Sequence, residues 1–440
     1  MQTRKERFYG EIFRTSKISS TKEPQWLKDL RSTAFSFFNE VGFPSVEDEE
    51  WKYTNVAPIV KEIFRYDNPK LGRKTTSFLA EIASKFTFEE TRKSFLLFLN
   101  GRFRPDFSDF QALEAVKIAS FGEAFEDAEL EKVLQNKLNS LVDYKKNGFT
   151  ALNTAFIEDG LLLIIPKGKV IESPIQLIFL TENELVAFPR CLILMEESSE
   201  ATLIESYYRN EEGKYFTNAV IEISLANEAK LKNYRIQRES HNAFHITTSY
   251  AEIHRGSIYD STNITLGGKL SRHDVGVIFK AENGQAFVDG LYLVSGEQHA
   301  DTHSVIDHIF PNCLSRQNYK GIVDGKARAV FNGKVFVREG AYGTDARQSN
   351  KNLLLSNEAR VDTKPQLEIF NDDVRCSHGA TVGQLEEEEI FYLVSRGLRR
   401  TLAENLLTYG FAEEIVNKIE IDSLKSQIDK ALLNRLKASL

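Results

Sequence analysis

Apolar positions 26, 27, 30, 34, 37 and 38 recur at a spacing near 3.6, which predicts a helix over 26–38. Pro44, Ser45 and Asp48 then read as the start of a second helix running on through EDEEWKYTNVAPIVKEIF, with its acids in the first turn. Trp51 and Tyr53 in it read as packing residues. The pattern changes at 94–103, SFLLFLNGRF, a strand that ends in Asn100-Gly101. That dipeptide favours a two-residue hairpin turn because both residues tolerate positive φ. Helical spacing returns at about 121–143 through Phe125, Leu130, Val133, Leu134, Leu138 and Leu141. Residues 1–150 therefore read as a mostly helical region with one short hairpin.

From Ala151 the pattern is that of strands for more than two hundred residues. LLLII (161–165), PIQLIFL (174–180), CLILM (191–195), AVIEISL (219–225), LYLV (291–294) and AVFNGKVFV (329–337) follow without an intervening helical pattern, which argues against βαβ units. A small residue precedes an alternating run at Ala201, Ala229, Ser257 and Ala286, at intervals of 28, 28 and 29 by subtraction. The phrase recurs less regularly at Ala327 and Ala359. A loose period of this size favours a β-solenoid over a large β-sandwich, with a small residue filling each crowded turn. The solenoid spans 151–385.

Residues 386–440 return to helix. Acids at 386–389 occupy a first turn, Leu398, Leu402 and Leu406 lie at i, i+4 and i+8, and Gly410 is placed to stop that helix. Leu424, Ile428, Leu432 and Leu436 mark a last amphipathic helix. Such helices either cap the open end of a solenoid or present an apolar stripe to a partner.

Composition narrows the class. The net charge of −7 argues against nucleic acid as the main partner. Cys191, Cys313 and Cys376 are the only cysteines and none has CxxC spacing, so neither a disulfide framework nor a zinc finger is signalled. The N-terminus lacks the apolar core of a secretory signal, and no run approaches the roughly 20 apolar residues of a membrane span. A reducing cytoplasm is the expected compartment. No GxxxxGK[ST], GxGxxG after a strand, GxSxG or HExxH occurs, which excludes a P-loop ATPase among other classes.

Cys376 and His378 form the sharpest chemical pair. On an extended segment residues i and i+2 share a face, so a thiolate and an imidazole stand side by side. They supply half of a tetrahedral ligand set for iron–sulfur species or zinc, and the other half must come from outside. Against this stands a plainer reading, with Cys376 a small buried hydrophobe and His378 a turn residue. His299, Asp301 and His303 also alternate; a hydrogen-bonded polar ladder is the expected reading and a divalent-metal site the rival. His241 and His245 have helical spacing in a strand-like region. Cys313 has no adjacent base and reads as structural.

Several stretches resemble one family. GFPSVEDEEWKYTN (42–55), ALNTAF (151–156), DHIFPNCLSRQNYKG (307–321), DTKPQLEIFNDDVRCSHGATVG (362–383) and FYLVSRG (391–397) are similar to the SufB/SufD scaffold family of Suf iron–sulfur cluster assembly. Gly379 in CSHGAT and the scarcity of cysteine favour the SufD branch over a SufB-like paralogue. The resemblance implies a right-handed parallel β-helix between helical ends and a non-catalytic scaffold. It implies pairing with SufB through the core, and docking of the SufC ATPase through the C-terminal region that holds Phe391, Leu393, Arg396, Leu398, Leu402 and Leu406. A homodimer is the expected alternative when the chain is alone. Cys376 and His378 become the cluster-assembly residues at the SufB-facing interface and the candidate ligands of transient iron or a cluster. A flavin is associated with the assembled complex of the family, and no residue here predicts its place. The rival from another class is a β-helix polysaccharide lyase using Asp372, Asp373 and Arg375.

Overall fold

The computed structural model describes residues 4–15, 23–66, 73–208 and 212–438. Its centre is a β-solenoid of two long sheets whose strands alternate along the chain. One sheet runs from the hairpin Phe95–Leu99 and Arg102–Asp109 through Ile175–Leu180, Glu200–Tyr208 and Lys230–Arg238 to Leu314–Val323, Thr344–Leu354 and Val374–Gly383. The other runs from Lys117–Ser120 and Leu161–Ile165 to His299–His308, Arg328–Val337 and Arg360–Ile369. Pairing is parallel except at the N-terminal end, within the hairpin, which itself joins Ile175–Leu180 in parallel, and where Lys117–Ser120 meets Leu161–Ile165. Lys230 stands opposite Glu200, Ile258 opposite Lys230, Gln285 opposite Ile258, Leu314 opposite Gln285, Asp345 opposite Leu314 and Arg375 opposite Asp345. The coils are therefore 30, 28, 27, 29, 31 and 30 residues long by subtraction, which is the loose period seen in the sequence.

Strand alternation decides what is inside. Leu203, Asn233, Ser261, Val288 and Gln317 form one inward column in register, all buried. The corners explain the small residues. Ser198, Glu228, Gly256, Asn283, Asn312 and Gly343 all have positive φ, between 57° and 68°. Each is followed by a buried residue at the turn: Ser199, Ala229, Ser257, Gly284, Cys313 and Thr344. Cys313, read from sequence only as structural, is thus a corner residue. The small-residue frame read from sequence mixes two columns: Ala201 and Ala286 lie one register step inside their strands, opposite Leu231 and Tyr259 respectively.

Three helical expectations need correction. The helix predicted after Asp48 is a 3₁₀ turn, Glu49–Trp51, then a turn and irregular chain, then the short helix Ala57–Lys61. Asp48 does cap Ser45 N–H, at 2.7 Å, but Trp51 is pulled onto the solenoid, where the Arg272 guanidinium lies 3.7 Å over its ring. The helix over 121–143 is two, Phe121–Ala124 and Ala128–Lys137, split where the Asp127 side chain caps Glu129 and Leu130 N–H. Gly410 does not end its helix, Arg400–Val416. Ala412, Ile415 and Val416 beyond it are buried against the first sheet, and three buried side chains outweigh the roughly 1 kcal/mol that an internal glycine costs. A further helix, Gly148–Ala155, went unread: all eight of its residues are buried, so it has no polar face to reveal a period.

The helical N-terminal region packs on the outside of the second sheet, Phe38, Trp51 and Phe149 meeting Phe216, Phe244 and Leu270. The last two helices lie along the outside of the first sheet. There Leu424, Ile428 and Leu432 are buried beside Ile204, Tyr234 and Ile264. They therefore flank the solenoid, and among the described residues nothing pairs with the free edge of its last strand; the side chain of Leu436 lies outside the described ones.

Candidate functional site

Val374–Gly383 is the terminal strand of the first sheet and among the described residues pairs on one side only, with Thr344–Leu354. Cys376 stands opposite Ala346 and His378 opposite Gln348. Ala346 and Gln348 are buried, on the inward face of their strand. Both residues of the pair therefore belong to the inward face of a coil that nothing in this chain follows among the described residues. Cys376 is half-buried and packs against the edge of the apolar core with Leu367 and Val374. Burial raises its thiol above the ordinary value. His378 is exposed. The plainer reading of the pair is half met: the thiol is partly buried, but the histidine is a strand residue and not a turn residue.

Beneath His378 the inward column is polar. Gln348 donates to Gln317 at 2.6 Å, while Gln348 Oε1 and Gln317 Nε2 are buried with no protein partner. The described residues contain no group of three or more His, Cys, Asp or Glu arranged for a metal ion. Cys376 and His378 are two donors at an open edge, and a metal held there needs further ligands from cargo or from another chain.

The C-terminal candidates divide by exposure. In Glu387–Ser395 only Ile390 is buried, and Phe391 is 72% exposed. Leu402 and Leu406 of the next helix are 56% and 50% exposed, Leu393 and Leu398 are half-buried, and Arg396 lies over the ring of Tyr392. The same helix is pinned to the first sheet at its other end. Lys320 donates to Phe411 O at 2.9 Å, Asn318 to Glu414 at 2.7 Å, and Lys418 meets the buried Asp289.

His299, Asp301 and His303 do share one face, and that face holds an arginine. Arg272 donates to Asp301 at 2.9 Å and pairs doubly with Asp274. Thr54 donates to Asp301 at 2.5 Å and meets His299 at 2.8 Å, while His303 bridges Asp301 and Glu50. The ladder is a hydrogen-bonded anchor for the segment 49–54. Its partners Arg272, Thr54 and Glu50 went unread because they lie far away in the chain, with no local pattern to connect them. His245 is buried between Glu239, at 2.7 Å, and Arg235, at 2.6 Å; His241 sits in the turn before its strand. Cys313 is buried, its thiol pushed up to about 11 by burial. Asp372 and Asp373 lie in the last corner and Arg375 points outward from the terminal strand.

The family described as "SUF system FeS cluster assembly, SufBD core domain" matches residues 178–411, and "SufBD protein N-terminal region" matches 3–177. The chain belongs to the SufBD family. It is 36% identical over 423 residues to an iron–sulfur cluster assembly SufBD family protein of Synechocystis, covering 93% of this chain and 91% of that one. It is 30% identical over 401 residues to the iron–sulfur cluster assembly protein SufD of Escherichia coli, covering 90% of each. A chloroplastic protein of Arabidopsis thaliana, ABCI7, is 33% identical over 308 residues, 67% of this chain and 64% of that one. This SufBD protein is therefore a SufD homologue of iron–sulfur cluster assembly, and the polysaccharide-lyase alternative is left without support. Among the described residues no helix is long and apolar enough to cross a membrane.

Proposed function

We propose that this SufBD protein is a non-catalytic scaffold that pairs with SufB through the open end of its solenoid and docks the SufC ATPase through its C-terminal helices. The carrying observation is the terminal strand: it presents unpaired backbone groups, a half-buried thiol and an exposed imidazole on one inward face. A partner strand added there continues the sheet and encloses Cys376 and His378 between two chains. The exposed Phe391, Leu402 and Leu406 give SufC an apolar surface. ATP-driven closure of two SufC subunits would pull on these helices. Their anchor at Lys320 stands two strands, roughly 10 Å, from the terminal strand through Lys351 and Thr381. Displacement there opens the interface to incoming iron and sulfide, which Cys376 and His378 ligate as cargo.

Flavin does not enter this scheme. The half-open cavity beside Trp51 measures about 200 Å³, below the roughly 300 Å³ at which cofactor-sized pockets begin, and the hollows lined by Phe110 and by His378 are open grooves. The proposed compartment is a reducing cytoplasm, where the three free thiols stay reduced.

Co-expression with SufB and SufC, followed by purification through a tag on this chain, tests the scheme. Both partners co-elute with the intact chain, and SufC alone is lost when residues 386–440 are removed. Cys376→Ala keeps the complex together and lowers its cluster output. Normal output from that variant would overturn the site; a chain that captures neither partner would overturn the scaffold.

A further inference from the structure

The direction of the backbone hydrogen bonds repeats from coil to coil. In the first sheet the outward residues Leu314 and Asp345 donate their N–H groups to the coil before, to the carbonyls of Gly284 and Cys313. In the second sheet Arg328 and Arg360 do the same, to Gln298 and Ala327. Successive residues of a strand point their N–H groups to opposite sides, so the inward residues face the coil that follows. Each sheet has a last strand that no coil follows among the described residues. There the inward residues hold their N–H and C=O groups to an open edge. On Val374–Gly383 they include Cys376, His378, Ala380 and Val382, because Arg375 stands opposite Asp345. On Arg360–Ile369 they are Val361, Thr363, Pro365, Leu367 and Ile369, because Arg360 and Phe370 both donate backwards.

The two edges are not alike. Val374–Gly383 contains no proline, and every inward residue on it offers a donor. Pro365 stands at the centre of the other edge. It has no N–H, and its ring carbon occupies the place where the carbonyl of an added strand would seek one. The outer surfaces differ in the same sense. Beyond Arg375 the outward residues of the first edge are Ser377, Gly379, Thr381 and Gly383, and a Cβ on either glycine would meet nothing within 4 Å. On the second edge Asp362 and Lys364 are charged and already paired, with Arg328 at 2.6 Å and Glu49 at 3.1 Å. Charged side chains and proline are what keep further strands from adding to an edge.

We infer that SufB extends the first sheet alone, through the edge of Val374–Gly383, and that Pro365 keeps the second sheet from being extended. This rests on the pairing with SufB proposed above and adds which edge carries it. The surface fits a partner whose own edge strand runs for about ten residues with alternate N–H and C=O groups free. The joint is then hydrogen-bonded along one sheet and unpaired along the other. The backbone of Cys376 and His378 takes part in the ladder while their side chains stay on the inward face.

Hydrogen exchange of the full-length chain, alone and with SufB, read by mass spectrometry, tests this. Peptides within 374–383 should slow at least about tenfold on binding, because free edge amides enter a ladder. Peptides within 360–369 should exchange as before. Ala380 is exposed and its N–H faces the open edge, so Ala380→Pro leaves the ladder of the free chain in place. It should weaken SufB binding at least about tenfold, through one lost hydrogen bond and a partner carbonyl left unsatisfied. Ala380→Gly removes the same methyl group but keeps the N–H and should bind within about threefold of the original chain. Pro365→Ala, which gives the second edge its missing donor, should leave SufB affinity unchanged. Equal protection of 360–369 and 374–383 would overturn this inference while the pairing stands, and so would Ala380→Pro binding as tightly as Ala380→Gly. If no complex with SufB forms, the pairing falls and this inference falls with it.

Discussion

Glu222→Gln removes one charge and almost no volume from the most deeply buried ion pair among the described residues. Glu222 and Arg190 are both 0% exposed, with Nη2 to Oε1 at 2.5 Å. Glu222 also accepts the backbone N–H of Asn139 at 2.8 Å, Leu141 at 3.0 Å and Val142 at 3.2 Å, which ties the helical N-terminal region to the second sheet. Arg190 in turn donates to Asn153 and Thr154. A glutamine at 222 keeps one acceptor and turns an NH₂ toward donors. It also leaves a guanidinium buried without a counter-charge, and a guanidinium cannot shed its proton. The expected loss is about 3–5 kcal/mol. Arg190→Met leaves a carboxylate still held by three N–H groups and able to take up a proton, so it should cost less. The two changes together should show a coupling of roughly 2 kcal/mol. A chain of 440 residues need not unfold in one step, so the measurement is native-state hydrogen exchange of the Asn139, Leu141 and Val142 amides. A loss below about 1 kcal/mol in Glu222→Gln, or a larger loss in Arg190→Met, would refute the reasoning.

Three further outcomes are expected. Ile428 is fully buried between the last helix and the first sheet, so Ile428→Ala should cost about 2–5 kcal/mol locally; exchange should rise in 422–438 while the coils stay protected, and uniform protection would refute it. Gly290 lies under the Tyr319 ring, where a Cβ would come within 2.2 Å, so Gly290→Ala should destabilise by about 1–3 kcal/mol, and an unchanged melting temperature would show that the ring moves freely. The clasp over segment 49–54 should be tightest between pH 4.5 and 6.5. Hydrogen bonding from His303, helped by Lys334, lowers Glu50 from 4.5 to about 2, so its contribution is whole above pH 4.5 and fades as the pH falls toward 2. Burial opposes the charge on His303, but Asp301 outweighs it and raises the group above 6.5. That contribution is whole below pH 6.5 and is lost as the pH climbs through the raised value. Trp51 fluorescence against pH reads both limbs, and a flat profile from pH 3 to 9 would refute the clasp.

What could be read from sequence follows from the range of the interactions. The solenoid was legible because its period is imposed by stacking, so every coil repeats it. Its exact phase was not, since Ala201 and Ala286 look like Ala229 and Ser257 but lie inside strands instead of before them. Only the positive-φ residue ahead of each turn fixes the frame, and it is glycine at 256 and 343 but glutamate at 228. The hairpin at Asn100-Gly101 needed no such context: both residues do have positive φ.

The candidate site shows the same division more sharply. That Cys376 and His378 share a face is a local consequence of strand geometry and was legible at once. Leu402 and Leu406 have the same four-residue spacing as Leu424, Ile428 and Leu432, yet the first two are half exposed and the last three are buried. Periodicity states that a helix has an apolar face; it does not state what covers it. Ile204, Tyr234 and Ile264, on strands some 200 residues earlier by subtraction, cover the last helix. Nothing in this chain's described residues covers Leu402, Leu406 and Phe391 to the same degree. That difference ties the functional proposal to the chain: a helix pinned by Glu414 and Lys418 at one end keeps its other apolar flank in water only at a cost that a bound partner removes. Substituting Leu402 and Leu406 together by glutamine should therefore leave the free chain as stable as before and abolish SufC capture. The equivalent pair in the last helix, Leu424 and Ile428, should do the reverse first, loosening the helix itself. If both pairs behaved alike, the exposed stripe would be an accident of packing and the docking role would have to lie elsewhere.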